Sequence, residues 1–298
     1  MQFTVVSSKG MKRLAGVRGN KAALLPQERD GGCDLATLAQ LPLPDLAALE
    51  RQLDGLPASA WSPLGDFEFA LPFVRPGKLV CLGLNYAEHA KEGGSKVPEY
   101  PSLFVRVPTS LVAAGQPMMC PSVSDKFDYE AELLVVIGRG GHRIAEADAL
   151  AHVFCYSCFN DGSVRDYQRK TAQWTAGKNF DKTGAVGPIF VTADELPPGA
   201  QGLSIVSRLN GRTMQNDSTS QMLVSVGKAI AIISEIMTLE PGDMIAMGTP
   251  SGVGYARNPP VLMKQGDVIE VEIEGIGILR NPVVRESQKT LEVDHVAA

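Results

Sequence analysis

Short runs of apolar and β-branched residues recur from Lys78 onward, and Gly or Pro turns separate them. Seven such runs with only two helical patterns favour a mostly antiparallel sheet rather than alternating βαβ units. The helical patterns cover residues 144–154, with acids in the first turn, and about 219–238, where the Ser-Thr-Ser triplet at 218–220 offers a cap. The seven runs are KLVCLGL, SLFVRV, AELLVVIG, GPIFVT, LSIVSRLNG, GDMIAMG and GDVIEVEIEG.

The first 72 residues differ from this pattern, because they are rich in Ala and Leu and contain turn signals such as RGN and RDGG. The proline-bearing stretch ALPFVRPG follows, which indicates a boundary near residues 70–77. We therefore predict a small N-terminal α/β domain over residues 1–72, a main domain over 73–285 and a poorly ordered tail over 286–298. The fold class predicted for the whole chain is α+β, mostly β.

The composition of the chain argues against some classes of function. The 298 residues carry a net charge of −5, whereas nucleic-acid surfaces need a concentrated excess of Lys and Arg. No apolar run approaches the roughly 18 residues of a membrane span, and the first residues lack the apolar stretch of a secretory signal. We expect a cytoplasmic protein with neither a nucleic-acid nor a membrane partner. The five cysteines lie mostly in apolar surroundings, which is typical of buried free thiols.

Two carboxylates, Glu130 and Glu132, lie at the start of YEAELLVVIG. If this segment is a strand, both side chains project from one face. The run that follows is apolar on both faces and predicts a buried strand, and carboxylates at its start are costly unless a cation or donors compensate them. By contrast, Glu270, Glu272 and Glu274 alternate with apolar residues, which predicts a solvated outer face.

A third carboxylate, Asp161, directly follows the apolar run HVFCYSCFN. An acid at the end of a buried run can meet Glu130 and Glu132 across the fold. Three carboxylates with no nearby His or Cys favour a hard cation held by oxygen ligands, hence Mg²⁺, Mn²⁺ or Ca²⁺ rather than Zn²⁺.

A short helix is predicted in LNYAEHAKEGG, where Asn85 and Glu88 fit a capping box and Gly93-Gly94 fits a helix stop. This helix would place His89 and Glu92 on one face, three residues apart. A surface histidine is the plainer interpretation of that pattern. The alternative is a mobile lid that carries a general base.

Lys178 and Thr249 lie in two glycine-containing segments, QWTAGKNFD and MGTPSGVG. Gly177 allows a close approach beside Lys178, although a solvated loop lysine is the plainer interpretation. The segment around Thr249 follows a strand and can offer backbone N–H groups and a hydroxyl to a carboxylate. It lacks the Lys-Ser/Thr ending of a phosphate-binding loop, so nucleotide binding is not predicted.

Five segments together resemble the fumarylacetoacetate hydrolase family over about residues 73–284. They are NYAEHAKE, YEAEL, NDGSVRDYQ, GKNFDKTGAVGP and the long segment beginning MGTPSGVGYARNPP, and they occur in the family's order. The resemblance implies a mixed β-sandwich or β-roll domain that forms a homodimer. It also implies Mg²⁺ or Mn²⁺, with Ca²⁺ as a substitute in crystals, bound by residues matching Glu130, Glu132 and Asp161.

The resemblance further implies roles around the metal. The residues implied to take part in catalysis are His89, Glu92 and Lys178, and those implied to bind the substrate's carboxylate and oxo groups are Tyr86, Arg106, Arg165, Gln168 and Thr249. The chain departs from common family patterns at Leu84, Arg106, Gly162 and Val164. These positions touch or border the expected substrate pocket, so they leave the substrate open.

The predicted activity is metal-dependent hydrolysis of a carbon–carbon bond in an acylpyruvate-type diketo acid, such as fumarylpyruvate, in aromatic-compound catabolism. A bound metal would polarise the 2-oxo acid as the bond breaks. Oxaloacetate decarboxylation and isomerisation with decarboxylation of ring-cleavage dioates use the same chemistry and remain alternatives. A metal-stabilised oxo-acid binder without catalysis is the alternative from another class, and the complete His89–Glu92 pair argues against it.

Overall fold

The structure is a computed structural model that describes residues 1–8, 10–25, 35–40, 43–73 and 77–287. Residues 288–298 of the predicted tail lie outside these ranges. The strands are β1 (Gln2–Ser8), β2 (Met11–Arg18), β3 (Lys21–Leu24), β4 (Ser62–Pro63), β5 (Glu68–Phe69), β6 (Leu79–Gly83), β7 (Ser102–Arg106), β8 (Leu111–Ala113), β9 (Met118–Cys120), β10 (Phe127–Asp128), β11 (Ala131–Ile137), β12 (Val153–Asn160), β13 (Ser163–Val164), β14 (Gly184–Val186), β15 (Phe190–Thr192), β16 (Ser204–Leu209), β17 (Arg212–Ser218), β18 (Met244–Ala246), β19 (Val268–Ile273) and β20 (Gly277–Arg285).

The helices of the described residues are short apart from α2 and α6. The α-helices are α1 (Leu35–Ala39), α2 (Leu43–Asp54), α3 (Ala87–Glu92), α4 (Arg165–Gln168), α5 (Thr175–Lys178) and α6 (Val226–Ile236). Turns of 3₁₀ helix cover Ala58–Ala60, Leu64–Asp66, Pro108–Ser110, Glu146–His152, Ala193–Glu195, Pro198–Ala200, Thr219–Gln221 and Gly254–Ala256.

The largest sheet in the described part of the chain has thirteen strands, with β11 near its middle. Every residue of β11 is buried, so residues 133–137 form the two-sided buried strand that the LLVVIG pattern predicts. β12 and β18 pair antiparallel with β11, one on each side. The sheet then continues from β18 to the parallel strand β6 and to β7. The strand ends that carry the site are therefore anchored in the interior of the protein.

A five-stranded sheet in the order β17-β16-β19-β20-β9 packs against β11 and β12. Along β19 the residues alternate between buried and partly exposed, as VIEVEI predicts. Glu270 and Glu272 lie on the outer side, where they pair with Arg280 and Arg208. Each of the seven apolar runs contains a strand, so the predicted α+β, strand-dominated fold is confirmed.

The two predicted helical patterns are partly wrong. Glu146–His152 forms a 3₁₀ helix, and Val153 already begins β12, because its backbone pairs with Ile137 in the sheet. The second helix starts only at Val226, after Ser225, whose hydroxyl accepts the Lys228 N–H at 3.2 Å. The cap predicted at residues 218–220 instead belongs to a separate 3₁₀ turn.

The N-terminal strands continue the main sheet, since β1 pairs with both β2 and β15. Phe3 of β1 and Leu53 of α2 share a buried apolar cluster with Phe190 of β15. The division at residue 72 stays a prediction.

Two expectations drawn from composition also concern the described residues. Cys81, Cys120, Cys155 and Cys158 are buried free thiols, as predicted, while Cys33 lies outside the described residues. Within the described ranges, no helix has the length and apolar character needed to cross a membrane.

Candidate metal centre and active site

The pairing of β11 with β12 brings the three predicted carboxylates together. Ala131 faces Asn160 across the two strands, so Glu130 and Asp161 lie opposite each other just beyond them. The Asp161 N–H donates to the Glu130 carbonyl at 2.9 Å, and the Glu130 N–H donates to the Asn160 side chain at 3.0 Å. One carboxylate oxygen from each of Glu130, Glu132 and Asp161 lies within 4.8 Å of the others, and all three residues are buried.

Three buried cations surround two of these carboxylates. The Lys178 Nζ lies 2.5 Å from both Glu130 Oε2 and Asp161 Oδ2. Arg165 Nη1 lies 2.8 Å from Glu130 Oε1, and Arg106 pairs with Asp161 from the other side. Burial alone would raise the pKa of Glu130, but Lys178 and Arg165 bring that pKa below its usual range. Burial would likewise lower the pKa of Lys178, yet Asp161 and Glu130 raise it, so Lys178 is positively charged.

Glu132 has a different environment from its neighbours. Its Oε2 accepts the Gly248 N–H at 3.0 Å, and no ion pair with Glu132 occurs among the described residues. Burial first, and then repulsion from Asp161 and Glu130, raises the pKa of Glu132 well above its usual value. Glu132 is thus the carboxylate that most lacks a compensating cation.

His89 and Glu92 lie on α3, which precedes Gly93 as predicted. The His89 Nδ1 is 2.9 Å from Glu92 Oε1, and Glu92 Oε2 accepts the Gly252 N–H at 2.8 Å. The predicted capping box is wrong, since Tyr86 is the cap residue and makes no side-chain cap bond. The Asn85 amide instead donates to the Val224 and Met247 carbonyls, which ties the start of α3 to the loops beside it.

Glu130, Glu132 and α3 face a common cavity of about 350 Å³. Two glycines allow neighbouring segments of the cavity wall to pack closely. A Cβ on Gly83 would lie 2.0 Å from Cζ3 of the Trp174 indole, and a Cβ on Gly177 would lie 2.5 Å from the Gln168 Cα. The close approach predicted at Gly177 is therefore present, and it holds α5 against α4 with Lys178 at its end.

Most of the predicted residues line this cavity, namely His89, Glu130, Glu132, Arg165, Gln168, Lys178 and Thr249. The remaining four are not among its lining residues, namely Tyr86, Glu92, Arg106 and Asp161. Arg106 is only 3% exposed and donates to Thr183 at 2.8 Å as well as to Asp161, so it supports a carboxylate from behind. Substrate contact by Arg106 and Tyr86 stays a prediction.

Comparison with known proteins identifies the family of this protein. The family model for the C-terminal region of fumarylacetoacetate (FAA) hydrolase matches residues 78–284, which is more than half of the chain. The chain belongs to the fumarylacetoacetate hydrolase family. The mitochondrial oxaloacetate tautomerase of Homo sapiens is a relative, 41% identical over 239 residues that make up 80% of this chain and 74% of the relative. A cytoplasmic location and a homodimer stay predictions.

Solved structures of similar proteins have the same fold. The fumarylacetoacetate hydrolase from Exiguobacterium antarcticum is 32% identical, with a TM-score of 0.81, over 96% of this chain and 100% of that one. The 2-hydroxyhepta-2,4-diene-1,7-dioate isomerase from Mycobacterium marinum is 29% identical, with a TM-score of 0.75, over 97% and 100% of the two chains. The fumarylacetoacetate hydrolase fold thus extends through the N-terminal strands as well as the matched region.

The residues present fit the divalent metal that the family implies. Ligand oxygens around one cation at about 2.1–2.5 Å lie within about 5 Å of each other, as the three carboxylate oxygens do here. Four buried acids face three buried bases, so the net charge is 3 − 4 = −1 when every group is ionised; the groups are Asp128, Glu130, Glu132, Asp161, Arg106, Arg165 and Lys178. A divalent cation would change this to +1, a charge suited to an anionic substrate.

Two residues that support the site were not predicted from the sequence. Asp128 is fully buried and accepts N–H groups from Arg165, Gly254 and Tyr255. The sequence does contain a pattern that indicates Asp128, because Asp128 precedes Glu130 and Glu132 at the same two-residue spacing. Gln215 donates to the Thr249 hydroxyl at 2.7 Å, and no local pattern marks that contact across 34 residues.

Proposed function

We propose that this protein is a divalent-metal-dependent enzyme that interconverts the keto and enol forms of a small 2-oxo acid of the oxaloacetate class. The observation that carries the proposal is a single cavity lined by the buried Glu130 and Glu132, by Arg165 and Lys178, and by His89, whose imidazole contacts Glu92. Its volume of about 350 Å³ suits a ligand of few atoms. The oxaloacetate tautomerase activity for which the human relative is named supports the same chemistry.

The substrate would be held by positive and hydroxyl groups of the cavity. A divalent cation on Glu130, Glu132 and Asp161 would supply Lewis-acid polarisation of the 2-oxo group. Arg165 and Lys178 are buried and positively charged, so they bind and orient the carboxylate and oxo oxygens. The Gln215 amide donates to the Thr249 hydroxyl, which leaves the hydroxyl's own proton for a substrate oxygen.

His89 would move the proton. With Nδ1 donating to Glu92, the Nε2 atom is left to take a proton from the carbon beside the oxo group and to deliver it to the oxo oxygen, which completes the enol; the reverse transfer restores the keto form. Glu92 is itself fixed by the Gly252 N–H, so it holds the imidazole in one orientation and one tautomer. Keto–enol exchange requires no other acid or base from the protein.

Hydrolysis of an acylpyruvate such as fumarylpyruvate is the second candidate function. The His89–Glu92 geometry favours it, because Nε2 can equally take a proton from a water molecule that attacks a carbonyl carbon. The likeness to the fumarylacetoacetate hydrolase from Exiguobacterium antarcticum supports this candidate.

A turnover screen with Mg²⁺ and Mn²⁺ separates these functions. One preparation is assayed for oxaloacetate enol–keto exchange by ultraviolet absorbance, for oxaloacetate decarboxylation, for acylpyruvate hydrolysis and for conversion of a ring-cleavage dioate. Blanks contain the metal alone, since metals accelerate oxaloacetate reactions unaided. We expect enol–keto exchange to have the highest kcat/KM. A higher kcat/KM for acylpyruvates would favour the hydrolase, and no turnover in any assay would reject both.

The metal assignment is tested by the same substitution at two sites. Glu132→Gln should weaken Mn²⁺ binding more than about tenfold and abolish turnover, because an anionic oxygen ligand is lost while the shape is kept. Glu272→Gln is the matched control, since Glu272 pairs with Arg208 on the outer sheet face, and it should stay within about twofold. Titration calorimetry with Mn²⁺ measures both, and wild-type binding by the Glu132 variant would refute the assignment.

A further inference from the structure

A cation that forms no ion pair within the described part of the chain lies at the outer wall of the cavity. Arg169 directly follows α4, is exposed and lines the same cavity as Arg165. Its guanidinium carbon is 4.1 Å from the centre of the Tyr255 ring, and its Nη1 donates to the Tyr255 hydroxyl at 2.6 Å. Among the residues that the structure describes, no carboxylate forms an ion pair with Arg169.

The two arginines are spaced by one turn of helix. The Arg169 N–H donates to the Arg165 carbonyl at 3.2 Å, and side chains four residues apart on such a turn lie about 6 Å from each other on one side. Arg165 is buried beside Glu130, whereas Arg169 is at the solvent end. The cavity therefore has two cations near the metal ligands, Arg165 and Lys178, and a third, Arg169, further out.

Tyr255 is fixed in turn by the protein interior. Its backbone N–H donates to the buried Asp128 carboxylate at 3.0 Å, next to the Gly254 N–H on the same side chain. A guanidinium stacked on a fixed ring and bonded to its hydroxyl loses little rotamer freedom when it binds a ligand. Its remaining N–H groups present the planar fork that matches a carboxylate.

We propose that Arg169, oriented by Tyr255, binds the distal carboxylate of a short dicarboxylic 2-oxo acid and so selects dicarboxylates over monocarboxylates. This inference rests on the proposed function, because the proximal carboxylate and oxo group of the same molecule would occupy the inner part of the cavity. Arg169 forms no ion pair among the described residues. A dicarboxylic substrate would supply the missing carboxylate, whereas a monocarboxylic substrate would not.

The test compares two single-charge substitutions at adjacent positions. Arg169→Met removes the proposed contact. Lys170→Met is the matched control, because Lys170 is also exposed and stacked on a ring, 3.3 Å from the centre of Tyr167, but does not line the cavity. Both variants change the net charge equally, so long-range electrostatic effects are the same.

Oxaloacetate and pyruvate are the probes, and their binding to the Mn²⁺-loaded protein is measured by calorimetry. Arg169→Met should weaken oxaloacetate binding about tenfold and pyruvate binding less than about twofold. Lys170→Met should leave both within about twofold. Tyr255→Phe, which keeps the ring and removes only the hydroxyl, should weaken oxaloacetate binding by a smaller factor. This second variant keeps the inference testable if Arg169→Met does not fold. Equal loss for both probes, or an equal effect of Lys170→Met, would overturn the inference.

The two proposals fail in different ways. If the wild type turns over no 2-oxo acid but its oxaloacetate binding still depends on Arg169, the proposed function is wrong and the carboxylate contact stands. If oxaloacetate is turned over with an unchanged KM after Arg169→Met, the carboxylate contact is wrong and the proposed function stands.

Discussion

Replacing Asp128 by Asn tests the buried contacts that hold the cavity wall. One Asp128 oxygen accepts the N–H groups of Tyr129 and Gly254, and the other accepts those of Tyr255 and the Arg165 side chain, at 2.8–3.0 Å. Asparagine keeps one acceptor oxygen, but in either orientation its NH₂ group faces two of these donors. Two buried donors then lose their acceptor, at about 1–3 kcal/mol each.

Part of this cost is offset. Burial raises the pKa of Asp128, so removing its charge relieves some desolvation, and Arg165 keeps its ion pair with Glu130 at 2.8 Å. We therefore expect Asp128→Asn to lower the free energy of unfolding by about 2–4 kcal/mol. The control is Asp125→Asn, because Asp125 is 87% exposed in its pair with Arg285 and should change that free energy by less than ~1 kcal/mol.

Urea titrations of the wild type and the two variants, followed by tryptophan fluorescence, measure these differences. Asp128→Asn should also raise KM, since Arg165 and Tyr255 lose a fixed anchor beside the cavity. A natively folded Asp128 variant whose unfolding free energy lies within ~1 kcal/mol of wild type would refute the argument from unsatisfied donors.

Two further predictions concern the general base and the buried thiols. His89→Ala should lower kcat by about 10²–10⁴ while Mn²⁺ affinity stays near wild type, because His89 is not one of the carboxylate ligands; the exposed His142→Ala is the control, and an active His89 variant would contradict the proposed role. Burial raises the pKa of Cys158 to about 12 and also raises that of Cys155, so both thiols should be protonated at about pH 8. Iodoacetamide should label them more than about 10³-fold slower than a free cysteine, which peptide mapping before and after denaturation measures, and rapid labelling of the native protein would contradict their placement.

The carboxylate cluster could be predicted because its signals are local. An apolar run long enough to be buried on both faces marks β11, and the acids at the ends of β11 and β12 must meet once those strands pair. The Glu270–Glu272 alternation gave the contrasting case on the outer face. Periodicity and strand ends therefore indicated which acids could meet, and the family resemblance implied that these acids bind the metal.

The contacts that could not be predicted depend on distant parts of the chain. Asn85 suits a helix cap by residue type, but its amide bonds carbonyls 139 and 162 residues away. Arg106 donates to Asp161 from 55 residues away, a contact that no local pattern indicates. Helix propensity near residue 150 was likewise overridden by sheet pairing at Val153. In each case tertiary packing decided between two local options that the sequence leaves open.

The register of β11 against β12 has a consequence for how this sequence can diverge. A strand that is apolar on both sides has no polar side to penalise a slip of one residue, so its interior does not determine the alignment. The alignment is held instead at one end, by the Asn160 side chain on the Glu130 N–H and by the Asp161 N–H on the Glu130 carbonyl. Leu134 and Val136 can be exchanged for other apolar residues of similar volume at small cost. Substitution can thus accumulate along the middle of these strands while Asn160 stays fixed.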